Sequence, residues 1–164
     1  MNQIRASYVL MLLVVSVAPA CSEGGDVSNG ALLIDSGVIL DGGQLDQSSL
    51  SAQAFDLSGP YWTPTVEQAS LADRTVLDRL RQVNSAQSRQ IADTIGDYKR
   101  QYVGYTVGGQ QWMLVNAVCR SYWEKNESWK SAVVVMLDGG ICYFRARFEL
   151  ATSMVYSVEV NGDA

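Results

Sequence analysis

Two strand-like runs, Tyr98–Val107 and Gln110–Cys119, stand on either side of Gly108-Gly109. From Tyr98 onward the apolar pattern takes a period of two, the signature of a pleated strand with distinct faces. The two-residue turn that best matches strand twist needs positive φ at both central positions, and two glycines supply that without steric cost. The segment therefore predicts a tight antiparallel hairpin, and the fold has to accommodate it.

The carboxy-terminal residues extend the sheet. Ala132–Leu137 and Ile141–Leu150 flank Asp138-Gly139-Gly140 and predict a second hairpin. A turn at Ala151–Ser153 leads into Val155–Val160, and Asn161-Gly162 ends the sheet. Arg145, Arg147 and Glu149 alternate with Phe144, Ala146, Phe148 and Leu150, so that strand has one wet face and one dry face. Val133–Leu137 is apolar on both faces, as is much of Trp112–Val115, which places those runs in mid-sheet or under a partner.

Upstream the period is helical. Val66, Ala69, Val76, Leu77, Leu80 and Val83 recur at spacings of three, four and seven, with charged residues between them. Thr63 is expected to cap this helix, with Pro64 in its first turn. Asp78 is within reach of Arg74 and Arg81. Asn84-Ser85 interrupts the helix, and Gln87–Ile95 predicts a second, shorter one before Gly96. Residues 60–164 thus read as an α+β domain: one or two helices packed on a four- to five-stranded antiparallel sheet.

The amino-terminal part reads as an export signal. Met1–Ser7 carries Arg5, Tyr8–Val17 is apolar with only Ser16 as a polar interruption, and Ala18-Pro19-Ala20 offers small residues. This predicts a signal peptide over residues 1–20. The apolar run is shorter than the roughly 20 residues of a membrane span. Val17-Ala18-Pro19-Ala20-Cys21 resembles a bacterial lipobox, departing from the common form at Ala18, where Leu or Val is usual, and at Pro19. The resemblance implies acylation of Cys21 and a membrane anchor; Ala18 and Ala20 equally suit ordinary cleavage, which would give a secreted chain. Ser22 after the cysteine implies the outer membrane, with the chain facing the periplasm or the cell surface. One acyl chain anchors weakly, so the anchored reading implies multiple acylation.

Residues 21–59 contain Glu23, Asp26, Asp35, Asp41, Asp46 and Asp56, no Lys or Arg, and frequent Gly and Ser. They are expected to be a mostly disordered tether. Two short apolar runs within it, Ala31–Ile34 and Val38–Leu40, have the character to pair weakly or dock on the domain.

The chain of 164 residues has a formal net charge of −5 and no histidine. Acidity argues against nucleic acid and against a polybasic membrane contact. The missing histidine removes Ser-His-Asp and Cys-His catalysis, most zinc sites and the usual near-neutral proton shuttle. No catalytic residue, metal or cofactor is assigned.

Candidate binding residues are Tyr122, Trp123 and Trp129 in the loop after Cys119, either as a hot spot or as a cap on the core. Arg100, Arg145 and Arg147 make either an anion-binding face or a solvated sheet surface balanced by Glu149. Glu67, Asp73, Asp78 and Asp138 form no recognisable acid/base pair. Cys119 and Cys142 are available to each other for a disulfide in an exported chain. With 132–137 counted as an intervening strand, however, they fall at opposite ends of the sheet, about 20 Å apart and beyond bridging range unless loop 120–130 folds back.

Tyr98–Gly104, Val115-Asn116-Ala117, Asp138-Gly139-Gly140 with the aromatics after it, and Asn161-Gly162 together resemble a family of small uncharacterised bacterial proteins, over roughly residues 60–164. That resemblance implies an α+β, cystatin-like fold and no activity. The function expected is a non-catalytic, lipid-anchored envelope domain that binds an envelope protein or a peptide through a sheet face or edge. The alternatives are a structural or assembly accessory of the envelope, and a hydrolase or lyase built on carboxylates and tyrosine.

Overall fold

The computed structural model describes residues 27–28, 31–45, 57 and 60–161. The leader and Cys21 lie outside the described residues. The fold is α+β, with three helices and a mostly antiparallel open sheet. In chain order the strands are β1 (Val27–Ser28), β2 (Ala31–Ile34), β3 (Gly37–Ile39), β4 (Tyr61–Trp62), β5 (Tyr98–Val107), β6 (Gln110–Cys119), β7 (Tyr143–Glu149) and β8 (Met154–Val160). The helices are α1 (Val66–Gln82), α2 (Ala86–Asp93) and the short α3 (Arg120–Trp123). Seven strands lie along one path, β1-β2-β3-β5-β6-β7-β8, and β4 pairs with β5 beside β3. The sheet is therefore larger than the four or five strands expected.

The glycine hairpin forms where the sequence places it. Gly108 and Gly109 have φ of 59° and 81°, and β5 pairs with β6 from Val107↔Gln110 to Tyr98↔Cys119. The first helix begins two residues later than expected. Thr65, not Thr63, is its cap: its hydroxyl accepts the Gln68 N–H and the Gln68 side chain accepts the Thr65 N–H, a capping box. Thr63 is engaged elsewhere. Its hydroxyl donates to Asp41 at 2.9 Å and accepts the Gly42 N–H at 3.0 Å. Ala69, Ala72, Val76 and Leu80 form the buried stripe of α1, while Val66 is exposed.

The tether reading fails for residues 31–45. β2 and β3 make a hairpin, and β3 runs parallel to β5 with Gly37↔Arg100 and Ile39↔Tyr102. The acidic residues that suggested solvation stand at turns: Asp35 in the β2–β3 turn and Asp41 as cap of the next one. Between them Val38, Ile39 and Leu40 are at most 1% exposed, which fits a strand covered on both faces. Gly37 is required by close approach, since a Cβ there would overlap the Arg100 backbone. The folded unit thus takes in residues 31–45 as well as residues 60–161 of the expected domain.

A polar latch holds this hairpin. Lys99 Nζ donates to the Asp35 carbonyl at 2.8 Å, and the Arg100 N–H donates to the Ser36 carbonyl at 3.0 Å. The Tyr102 hydroxyl donates to Asp73 Oδ1 on α1 at 2.8 Å and lies 2.8 Å from Ser36 Oγ.

The sheet has two covered faces. On one, α1 and α2 pack over Ile39, Tyr102, Met113, Val115, Phe144, Ala146 and Phe148. On the other, Val38, Leu40, Val103, Leu114, Val118 and Tyr143 meet Leu57, Trp129 and Val134. Fully burying a side chain such as Leu114 or Phe148 contributes about 1.5–3 kcal/mol.

Ala132–Leu137 is not a strand. β7 pairs directly with β6, from Val118↔Tyr143 to Trp112↔Glu149. Residues 131–137 instead lie across the second face, and buried side-chain amides satisfy their backbone. Gln101 Nε2 donates to the Trp129 and Ala132 carbonyls, Gln101 Oε1 accepts the Val134 N–H, and Asn116 Nδ2 donates to the Val134 carbonyl. Asn161 Nδ2 donates to the Met136 carbonyl. With no intervening strand, Cys119 and Cys142 meet at one end of the sheet. They form a disulfide with Cα atoms 4.8 Å apart, which corrects the separation of about 20 Å expected from the sequence pattern.

A candidate binding cleft at the hairpin end

The expected binding residues do not come together as one site. Trp129 is only 4% exposed and belongs to the core beneath the loop. Tyr122 and Trp123 are half-buried against the same core, and Trp123 Nε1 donates to the Asp97 carbonyl at 3.1 Å. These aromatics act as a cap on the core. Arg100 is on the helix face, buried, with its guanidinium 2.6 Å from Asp73. Arg145 and Arg147 are on the opposite face, so the three arginines share no surface. Arg145 pairs with Glu159 across β7 and β8 at 2.5 Å.

Arg147 leads to a cleft that the sequence pattern did not reveal. At the hairpin end of the second face, a cavity of about 560 Å³ is lined by Tyr105, Val107, Gln110, Trp112, Arg147 and Tyr156. The hairpin register puts Tyr105 opposite Trp112, and β7 puts Arg147 opposite Leu114. Tyr156 arrives by a bulge. Arg147 pairs with Ser157 and Phe148 with Val155, which leaves Tyr156 as the extra residue of β8. Its ring then stands edge-on to Trp112, with centroids 5.7 Å apart and planes at 85°.

The cleft combines buried walls with an exposed rim. Tyr105 is 2% exposed, and burial pushes its hydroxyl up to about 12 while the nearby Arg147 guanidinium pulls the other way. Trp62 Nε1 donates to the Tyr105 carbonyl at 3.1 Å, fixing that wall from the neighbouring strand. Tyr156 is 75% exposed, Met154 next along β8 is 63% exposed and Val107 is 42% exposed. A single charged group, Arg147, lines the cavity, together with aromatic rings and one amide. Among the lining residues there are no paired carboxylates and no nucleophile with an adjacent base; what the lining offers is ring faces and a guanidinium. The signal was available in the sequence: once the turn is fixed at Gly108-Gly109, Tyr105 must face Trp112. Tyr156 was hidden because a bulge is not visible in an alternating pattern.

Among the described residues, no group of three His, Cys, Asp or Glu is placed to hold a metal ion, and no helix is long and apolar enough to cross a membrane. No family model, curated protein or solved structure matches this chain. The resemblance read from the sequence therefore transfers no role to any residue.

Proposed function

We propose that this chain is a lipid-anchored envelope protein, acylated on Cys21, whose domain binds a segment of another envelope protein and catalyses no reaction. The observation that carries the binding part is Tyr156. A large aromatic on an edge strand, three-quarters exposed and set against Trp112 beside Arg147, brings together the residue types that dominate binding energy at protein interfaces. Among the described residues nothing pairs with the outer edge of β8, so an extended peptide has backbone groups to meet next to the cleft. The bulge at Tyr156 interrupts that edge and favours one short, specific pairing over indiscriminate ones. We read α1 laid across β5–β8 as a cystatin-like arrangement extended by the amino-terminal hairpin.

The anchoring part is supported by the lipobox-like Val17–Cys21 segment following an apolar run. Replacing Cys21 by Ser is expected to release the chain from membranes; unchanged partitioning would refute the anchor. For binding, affinity capture from envelope extracts with the wild-type chain and with Tyr156→Ala is the test. A partner retained by the first and lost by the second supports the cleft, and a partner held equally by both removes it.

A further inference from the structure

The strand registers align one row of residues across the whole sheet: Val27, Leu32, Ile39, Tyr102, Val115, Ala146 and Val158. At about 4.8 Å per step between neighbouring strands, this row spans roughly 29 Å from β1 to β8. Val27, at one end of it, is six residues from Cys21. Even fully extended, that stretch reaches only about 20 Å. A flexible leash running to residue 59 would instead average roughly 35 Å end to end and leave the domain free to turn.

The latch keeps the short attachment short. Ser36 and Asp35 are held by Tyr102, Arg100 and Lys99, and the Leu40 N–H donates to the Tyr102 carbonyl at 3.1 Å, so β3 is bound to β5 along its length. Residues 27–45 contain no Lys or Arg, and without Arg5 of the leader the acylated chain has 11 Lys and Arg against 17 Asp and Glu, a net charge of −6 that repels the body from anionic lipid head groups. A body repelled by the surface but fixed to it at one edge extends away from that edge.

We infer that the β1–β2 edge is the membrane-proximal side of this protein, and that β8 with its aromatic cleft is presented to the aqueous side. This rests on the acylation of Cys21 proposed above. A partner for the cleft then approaches from the periplasmic or external solution and need not lie in the membrane.

The test uses the full-length acylated chain reconstituted in phosphatidylcholine–phosphatidylglycerol vesicles that carry an energy-transfer acceptor on a lipid head group. One fluorophore is attached through Asp35→Cys or through Ser157→Cys, with the native disulfide intact. The label at 35 is expected to transfer more efficiently than the label at 157. Insertion of about twenty Gly/Ser residues between Gly24 and Gly25 is expected to lower transfer at 35 and bring the two together. Equal transfer in the uninserted chain, or stronger transfer from 157, overturns the orientation. Mass analysis of the Cys21 peptide reads acylation separately: an unmodified Cys21 overturns the anchor and the orientation with it, whereas an acylated chain with reversed transfer overturns the orientation alone.

Discussion

Gln101 and Asn116 face each other across β5 and β6, both fully buried, and Asn116 Nδ2 donates to Gln101 Oε1 at 2.8 Å. Along β5 and β6 their neighbours on this face, Val103, Leu114 and Val118, are apolar, while Arg145 of β7 stands beside Asn116. The two amides stand in for a strand: they take up the Trp129, Ala132 and Val134 carbonyls and the Val134 N–H, groups that a loop lying on a sheet would otherwise bury unpaired.

Gln101→Met keeps the volume and removes every one of those bonds on its side. Stability is expected to fall by about 2–4 kcal/mol, read by urea unfolding, with faster amide exchange at Val134. Tyr143→Phe is the contrast. The Tyr143 hydroxyl is buried with no partner among the described residues, so its removal is expected to be neutral or to stabilise by up to about 1 kcal/mol. A loss below about 0.5 kcal/mol for Gln101→Met would mean that the loop is held by its apolar contacts alone.

The Cys119–Cys142 disulfide closes the same loop from its ends, with 23 residues of separation. Chain-entropy arguments give such a closure about 3 kcal/mol. The double variant Cys119→Ser/Cys142→Ser is expected to lose about that much in chemical denaturation. Intact mass under non-reducing conditions should show the folded chain two hydrogens lighter than the reduced one, and alkylation before reduction should leave both cysteines unmodified.

Much of this was legible in the sequence, and the failures have definite causes. The β5–β6 hairpin, the α1 stripe and the alternation in β7 follow from local pattern and needed nothing else. Val133–Leu137 looked like a central strand because it is apolar, and hydropathy does not report where backbone hydrogen bonds go. Fixing the turn at Gly108-Gly109 sets Gln101 opposite Asn116, and two amides among Val103, Leu114 and Val118 announce something polar to be satisfied there. Charge summed over residues 21–59 has the character of a solvated tether, whereas within it Asp35 and Asp41 occupy turns and leave Val38-Ile39-Leu40 free to be buried. The cysteine geometry failed only because it inherited the false strand.

The latch on the amino-terminal hairpin has its own test. Arg100 is buried and its charge is met by Asp73, while its guanidinium also donates to the Ile95 and Tyr98 carbonyls. Asp73→Asn leaves that charge without its counter-ion and weakens the Tyr102 contact. The expected loss is about 3 kcal/mol, with amide exchange accelerated at Arg100 and Leu40, whose N–H groups bond Ser36 and Tyr102 across the β3–β5 junction. Exchange that stays slow at both positions would show that the hairpin docks through Val38, Ile39 and Leu40 without help from the latch.

Alkaline pH should unfold this protein in a characteristic way. Burial raises the hydroxyls of Tyr98, Tyr102, Tyr105 and Tyr143 above the ordinary tyrosine value, Tyr105 to about 12. A folded-state value above the unfolded one means that the unfolded chain gives up its protons first. The contribution is complete below about pH 10 and is lost as pH rises toward 12, by at most about 1.4 kcal/mol per pH unit for each group. Tyr105→Phe is expected to flatten the decline of stability between pH 10 and 12 measurably, and to leave the profile at pH 6–8 unchanged in shape. An identical alkaline slope in the variant would place the Tyr105 hydroxyl in solvent.

The cleft makes a prediction that separates binding from folding. Tyr156 is 75% exposed and occupies the extra position of a bulge, so its side chain supports little of the core. Tyr156→Ala is expected to change stability by less than about 0.5 kcal/mol. If the ring is an anchor for a partner segment, the same substitution should weaken binding by about 2 kcal/mol or more, roughly thirty-fold in Kd, measured by calorimetry with the partner recovered by capture. Trp112 behaves differently. It is half-buried, packs on the second core and braces the Tyr156 ring. Trp112→Ala should therefore lower both stability and affinity, and only the Tyr156 variant isolates recognition. Val135 and Leu137 are the internal control, because they are also exposed apolar residues but lie on the loop beyond the cleft. Affinity that survives Tyr156→Ala and falls with Leu137→Ala would move the binding surface from the hairpin end to that loop.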